Sequence, residues 1–136
     1  MRYVVDASVA LKWVLAEPGS DAAEALLDEE LIAPPLWLVE AANALWRRAN
    51  RGEITADEAM ERLEHLGDAP VATIASDEDL PMALNIASTL AHPVYDCLYL
   101  AMARREGAVV VTADRRFCAI VEASSEHRGL VRLLGA

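Results

Sequence analysis

A chain of 136 residues that is 54% hydrophobic has the length of one domain, 1–136, and enough apolar material for a core, which excludes a disordered segment. Its formal net charge of −10 argues against a nucleic-acid binder held by a broad basic surface. No apolar run reaches the ~18 residues of a membrane span, no signal peptide precedes the first apolar stretch, and two isolated cysteines, Cys97 and Cys118, suit buried thiols in a cytoplasmic protein with no membrane partner.

In chain order, Tyr3–Val5 reads as a short buried strand. A helix over Ser8–Ala16 follows and is broken by Pro18-Gly19. Ser20 can cap a second helix through Leu27. Leu31–Ala33 is a strand closed by Pro34-Pro35, and a long helix runs from Leu36 to Ala49, ending near Gly52. Thr55 and Glu58 form a capping box for a helix to about Leu66. Val71–Ile74 reads as a strand and Asp77–Leu90 as a helix. Pro93 starts a Leu- and Ala-rich helix to Arg105, ended by Gly107. Ala108–Val111 is a strand, a short helix starts at Asp114, and Leu130–Leu134 is a last strand. This alternation predicts a three-layer α/β/α sandwich with a parallel sheet of about five strands. Right-handed crossovers then put every strand's carboxyl end on one edge, where ligands of such folds bind.

Charge is distributed unevenly. Acids crowd into 17–30 and 53–68, as solvated helix faces would. Lys12 is the single lysine, and several arginines are paired, as in Arg47-Arg48, Arg104-Arg105 and Arg115-Arg116. Four acids interrupt apolar contexts: Asp6 after the first strand, Glu40 in "LWLVEAANALW", Asp96 in "HPVYDCLYLAMA" and Asp114 after "AVVVTA". Asp6 and Asp114 would serve equally well as ordinary helix N-caps, and Ser8 could cap the first helix and leave Asp6 free. Glu40 could face solvent, yet Glu40, Asn43 and Arg47 fall at i, i+3 and i+7 on one polar stripe, flanked by Leu36, Val39 and Trp46. Asp96 fits a first-turn acid favoured by the helix dipole, but Val94, Tyr95, Cys97 and Leu98 surround it, and a lone buried carboxylate is costly.

Taken together, the four acids have another reading. Two come from strand ends on one edge and two from helix starts that return to it. Carboxylates gathered there repel one another, and a divalent cation removes the conflict. Mg²⁺ and Mn²⁺ prefer such oxygen donors, and a site of this kind supports phosphodiester hydrolysis. His65, His92 and His127 are scattered, surface or structural residues, and the isolated glycines form no nucleotide-binding loop. A receiver-like or Asp-nucleophile phosphoryl-transfer domain also places an Asp at a strand end. It would want a late lysine, or a second Asp where Ser8 stands. A non-catalytic binding module is the remaining alternative.

"VVDASVALKW", "VEAANALWR", "VYDCLYLAMA" and "VVTADRRF" resemble, in order and spacing, the acidic motifs of PIN-domain nucleases, most closely the VapC toxins of bacterial VapBC toxin–antitoxin pairs. The resemblance covers essentially the whole chain. It implies a Mg²⁺- or Mn²⁺-dependent ribonuclease acting on RNA, homodimerisation, and inhibition by a VapB-like antitoxin. Family metal-site roles would fall on Asp6, Glu40, Asp96 and Asp114, with Asp6, Asp96 and Asp114 holding the main ion and Glu40 completing the shell or orienting water. Ser8, Asn43 and Thr112 match supporting polar positions. Arg47, Arg115 and Arg116 are candidate substrate-phosphate contacts. Arg115 and Arg116 also stand where some relatives carry one more acid, which bears on whether a second metal is held. Trp13, Trp37 and Trp46 are expected to fill the core, or alternatively to line a groove for an antitoxin helix whose Arg could approach the carboxylates.

Overall fold

The computed structural model describes residues 1–136. Its strands are β1 (Arg2–Val5), β2 (Glu30–Ala33), β3 (Val71–Thr73), β4 (Val109–Thr112) and β5 (Val131–Leu133). They form one sheet in the order β3-β2-β1-β4-β5, with every pairing parallel. The helices are α1 (Ala7–Ala10), α2 (Ser20–Ala25), α3 (Leu36–Asn50), α4 (Ala56–Gly67), α5 (Leu80–Leu90), α6 (Val94–Glu106) and α7 (Arg115–Glu122). This is the predicted α/β/α sandwich with its five-stranded parallel sheet.

The sheet order reverses direction at β1 and β4. The chain steps outward from β1 through β2 to β3, then returns across the sheet to β4 on the other side of β1. With right-handed crossovers, α2–α4 and α5–α7 belong to opposite faces. The crevice at the carboxyl ends of β1 and β4 is therefore the topological switch point, the usual ligand position of open α/β sheets. Register fixes what meets there: Val4 pairs with Val110 and Val5 with Val111. One step further along, Asp6 lies beside Thr112.

The three central strands, β2, β1 and β4, are largely apolar because the sheet is covered on both faces there. Val4, Val5, Ile32, Val110 and Val111 are essentially inaccessible. Helix α6 is buried along Cys97–Ala103, since it packs on β1 and β4 beneath α5. A helix enclosed in this way is apolar almost all round, which its sequence shows. The capping box at Thr55 forms as expected, with reciprocal bonds of 3.0 and 2.9 Å to Glu58.

Several element ends differ from the sequence reading. Asp6, not Ser8, caps α1 by accepting from the Val9 amide at 3.2 Å, so the helix starts at Ala7. It does not run to Ala16: a 3-10 turn over Leu11–Trp13 ends it, and the Trp13 indole donates to the Ala23 carbonyl at 2.8 Å. Ser20 does not cap α2. Gly19 takes that position at φ +90, and the Ser20 hydroxyl donates back to the Glu17 carbonyl at 2.7 Å. The same helix stops at Ala25 and tightens into a 3-10 turn over Leu26–Asp28. Asp77–Asp79 is a 3-10 turn rather than the first turn of α5. Pro81 has no N–H to bond back to Asp77, which prevents regular helix from starting there.

The acidic stretches are not wholly solvated. Glu17 is half-buried and pairs with Arg48 and Lys12. Of the tryptophans, Trp37 is buried and Trp13 half-buried, as core filling requires. Trp46 lies 59% exposed on α3, where Val39 is also exposed, so these two do not shield Glu40. Cys97 is buried, but Cys118 only half so. His127 is buried, its Nδ1 3.0 Å from the Arg104 guanidinium.

An ion pair not visible in the sequence ties the turn before α5 to the end of α6. Asp79, 3% exposed, accepts from Arg105 Nε at 2.7 Å and from Nη2 at 2.9 Å. Charge-assisted bidentate geometry makes this a strong contact. Asp79→Ala should lower unfolding free energy by about 2 kcal/mol, read as a lowered urea midpoint at unchanged slope.

Candidate active site

Asp6, Glu40, Asp96 and Asp114 line one cleft of about 290 Å³ at the switch point, together with Ala7, Ser8, Leu11, Ala44 and Arg47. Each acid arrives on a different element: the end of β1, α3, the first turn of α6 and the cap of α7. The four side chains line a common space, but no three of them close into a preassembled ligand cluster, and each accepts a hydrogen bond from a protein partner.

Asp6 is held most tightly. Ser8 Oγ donates to its Oδ1 at 2.6 Å and Thr112 Oγ1 to its Oδ2 at 2.6 Å. The two hydroxyls are themselves fixed, Ser8 by the Ala113 amide at 3.0 Å and Thr112 by the Asp114 amide at 3.1 Å. Asp114 is exposed and accepts from the Phe117 amide at 3.1 Å as the N-cap of α7. The two roles weighed for Asp6 and Asp114 are thus compatible, since each caps a helix and also lines the cleft.

Asp96 Oδ2 lies 2.7 Å from His92 Nε2, and the His92 ring packs on Phe117 with centroids 5.1 Å apart. Glu40 Oε1 accepts from the Tyr99 hydroxyl at 2.5 Å. The sequence reading takes His92 as a surface or structural residue, and it does not single out Tyr99. The signal available was spacing: Tyr99 lies three residues after Asp96, one turn along α6, and His92 four residues before it, just ahead of the helix.

The electrostatics are those of crowded acids. Burial pushes Asp6 above the ordinary carboxylate range, against the lowering effect of its bonds to Ser8, Thr112 and Val9, and Asp96 adds repulsion. Burial likewise raises Glu40, opposed by Tyr99 and assisted by Asp96 and Asp6. The Tyr99 phenol is pushed far up by burial and by Glu40, so it stays a donor. Burial and Asp96 push the Cys97 thiol up to about 11, which leaves it an inert core residue.

The remaining candidates divide. Ser8 and Arg47 line the cleft, and Thr112, fully buried, bears on it through its bond to Asp6. Asn43 is exposed on α3 and makes no hydrogen bond there. Arg115 lines a neighbouring cavity with Lys12, and Arg116 is exposed. Lys12 is tied to the Pro18 carbonyl at 2.8 Å and to Glu17, outside the carboxylate cleft, which removes the lysine a receiver-like site would need.

With that geometry in hand, comparison decides the family: the PIN domain model matches residues 3–123. The chain belongs to the PIN-domain family. It is 34% identical over 120 residues to Ribonuclease VapC3 of Pyrobaculum aerophilum, covering 85% of this chain and 92% of that one. A crystal structure of PAE2754 from Pyrobaculum aerophilum superposes with a TM-score of 0.74 at 25% identity, covering 96% of this chain and 83% of that one. VapC20 of Mycobacterium tuberculosis, described as a toxin cleaving the sarcin–ricin loop, shares the fold at a TM-score of 0.67 and 16% identity, over 86% of this chain and 93% of that one. VapBC2 from Rickettsia felis, solved bound to a promoter DNA fragment, does so at 0.65 and 12% identity, over 98% of each chain.

The PIN fold here concentrates unfavourable charge, and that has a measurable sign. The raised Asp6 carboxyl binds a proton more readily in the folded, metal-free chain than its ordinary value of 3.8 allows. Its protonated form therefore favours folding below pH 3.8, and that contribution is lost as pH rises through the raised value. Metal-free Asp6→Asn should be more stable than the parent at pH 7, with the gap narrowing as pH falls towards 4. Urea unfolding in EDTA across this range reads it.

Proposed function

We propose that this PIN-domain chain is a divalent-metal-dependent endoribonuclease, the toxin of a toxin–antitoxin pair. The observation that carries the reading is the convergence of four carboxylates, from four separate elements, on one cleft at the switch point. The donor chemistry fits Mg²⁺ or Mn²⁺: the cleft lining offers carboxylates and the Ser8 hydroxyl, with no thiol or imidazole. Burial, with a smaller part from mutual repulsion, raises Asp6 and Glu40, and a bound cation would favour their charged forms.

Asp6, Asp96 and Asp114 hold the ion in this reading, and Glu40 completes the set or orients the attacking water. A divalent cation supplies charge neutralisation at the scissile phosphate and acidifies water. Ser8 and Thr112 keep Asp6 from rotating, so its two oxygens stay on the cleft side of β1 and β4. Arg47 is the basic residue of the cleft lining and is placed to meet a phosphate. Arg115 and Arg116 extend that role outward, and Asn43 supports it from α3.

The domain is taken as the whole chain, 1–136, acting on RNA in the cytoplasm; none of its helices is long and apolar enough to cross a membrane. A VapB-like antitoxin is its proposed inhibitor and a homodimer its proposed state. Kinship with Ribonuclease VapC3 supports the first, and exposed apolar side chains such as Val39, Trp46, Leu84 and Tyr95 suit contact with other chains. The phosphoryl-transfer and binding-module alternatives gain no observation here.

Purified protein, parent beside Asp96→Asn, tests the reading with RNA and Mg²⁺, Mn²⁺ or EDTA. Cleavage should require metal. The variant should lose more than the ~10–100-fold that removing an outer-sphere partner costs. Equal, metal-independent cleavage by both proteins would overturn the assignment.

A further inference from the structure

We infer that Tyr99 is a positioning residue for the site: its hydroxyl fixes the Glu40 carboxylate at the cleft. The inference rests on the proposed metal site. Three of the acids are short side chains with at least one partner within four residues, Asp6 from Ser8 (and also Thr112), Asp96 from His92, and Asp114 from the Phe117 amide. Glu40 differs. It is longer by a methylene, it sits on α3 between the exposed Val39 and the exposed Asn43, and its one hydrogen bond from the protein is the Tyr99 hydroxyl. Without that bond the side chain is free to swing into water.

The phenol is suited to the task by its own burial. Tyr99 is 1% exposed within the apolar core under α5, so its hydroxyl has nothing but Glu40 to bond. A buried hydroxyl without a partner is costly, which holds the contact in place. The bond takes Oε1 and leaves Oε2 without a protein donor. Tyr99 also lies one turn beyond Asp96 on α6. One face of this helix therefore delivers an acid to the cleft and, three residues later, the group that orients a second acid from another helix. Freezing Glu40 on folding means its rotamer entropy is not lost again on binding a cation.

The test is calorimetric Mn²⁺ titration of the full chain in four forms: parent, Tyr99→Phe, Glu40→Gln and the double variant. RNA cleavage is measured alongside. Tyr99→Phe removes one oxygen from a filled core, and its melting midpoint is measured first so that all titrations run well below it. Positioning predicts that Tyr99→Phe weakens Mn²⁺ binding about 10-fold. In the Glu40→Gln background the same change should alter affinity less than ~2-fold, because the group it orients no longer binds. A purely structural tyrosine would lower the melting midpoint and leave Mn²⁺ affinity at the parent value, or weaken it equally in both backgrounds; either result overturns the inference. If Glu40→Gln alone changes neither affinity nor cleavage, Glu40 is not part of the site and the inference falls with that assignment. If the parent itself neither binds Mn²⁺ nor cleaves RNA, the metal-nuclease reading fails as a whole.

Discussion

Asp6 clamped between two hydroxyls is the contact on which the rest of the cleft depends. Its oxygens accept from Ser8 and Thr112 at 2.6 Å each, and those hydroxyls accept in turn from the Ala113 and Asp114 amides. The β1 end, the α1 cap and the turn from β4 into α7 are thereby one hydrogen-bonded unit. The register of β1 with β4 makes it possible, since Val5 beside Val111 leaves Asp6 beside Thr112. Slip that register by one residue and Thr112 would turn to the opposite face of the sheet from Asp6. Core packing of Val4, Val5, Val110 and Val111 holds the register, so the apolar interior fixes where the charge sits.

The same economy recurs around the cleft. Asp114 caps α7, and the residue whose amide it accepts, Phe117, packs its ring on His92, which in turn meets Asp96. Two acids on successive helices are thus linked through one aromatic contact. Asp6 likewise caps α1 while lining the cleft. A helix N-terminus carries partial positive charge, and it offsets some of the repulsion that gathering acids creates. Burial still holds Asp6 and Glu40 above the ordinary carboxylate range, with repulsion among the acids adding to it.

The architecture was legible in the sequence because alternation of apolar runs and helical stripes reports burial, and burial is what the sheet imposes. All five strands and the acids after β1 and β4 follow from that pattern. Helix ends were less legible, since they turn on local competition. At Asp6 and Ser8, two capping residues two positions apart competed, and Asp6, held by the tertiary bond from Thr112, took the cap. At Ser20, a left-handed Gly19 displaced the expected cap. Partners far apart in sequence were not legible at all. Glu40 and Tyr99 are brought together where helices from opposite faces reach the same end of the sheet, and Asp79 and Arg105 by a turn docking on α6. No periodicity in one chain encodes such a meeting, because it depends on how elements pack rather than on what either element needs.

Net charge sets a separate problem for a chain proposed to act on RNA. A protein at −10 repels a polyanion at long range, so affinity has to come from short-range charge left free near the cleft. The arginines divide along that line. Arg2, Arg48, Arg62 and Arg105 are spent on carboxylates within the fold. Arg47 in the cleft, and Arg115 and Arg116 beside Asp114, form no ion pair and keep their guanidiniums available. A few free forks around an acidic centre recognise phosphate at particular points rather than along a continuous track. Weak general attraction joined to a few placed contacts favours an RNA whose folded shape presents its backbone at those points, and disfavours indiscriminate degradation.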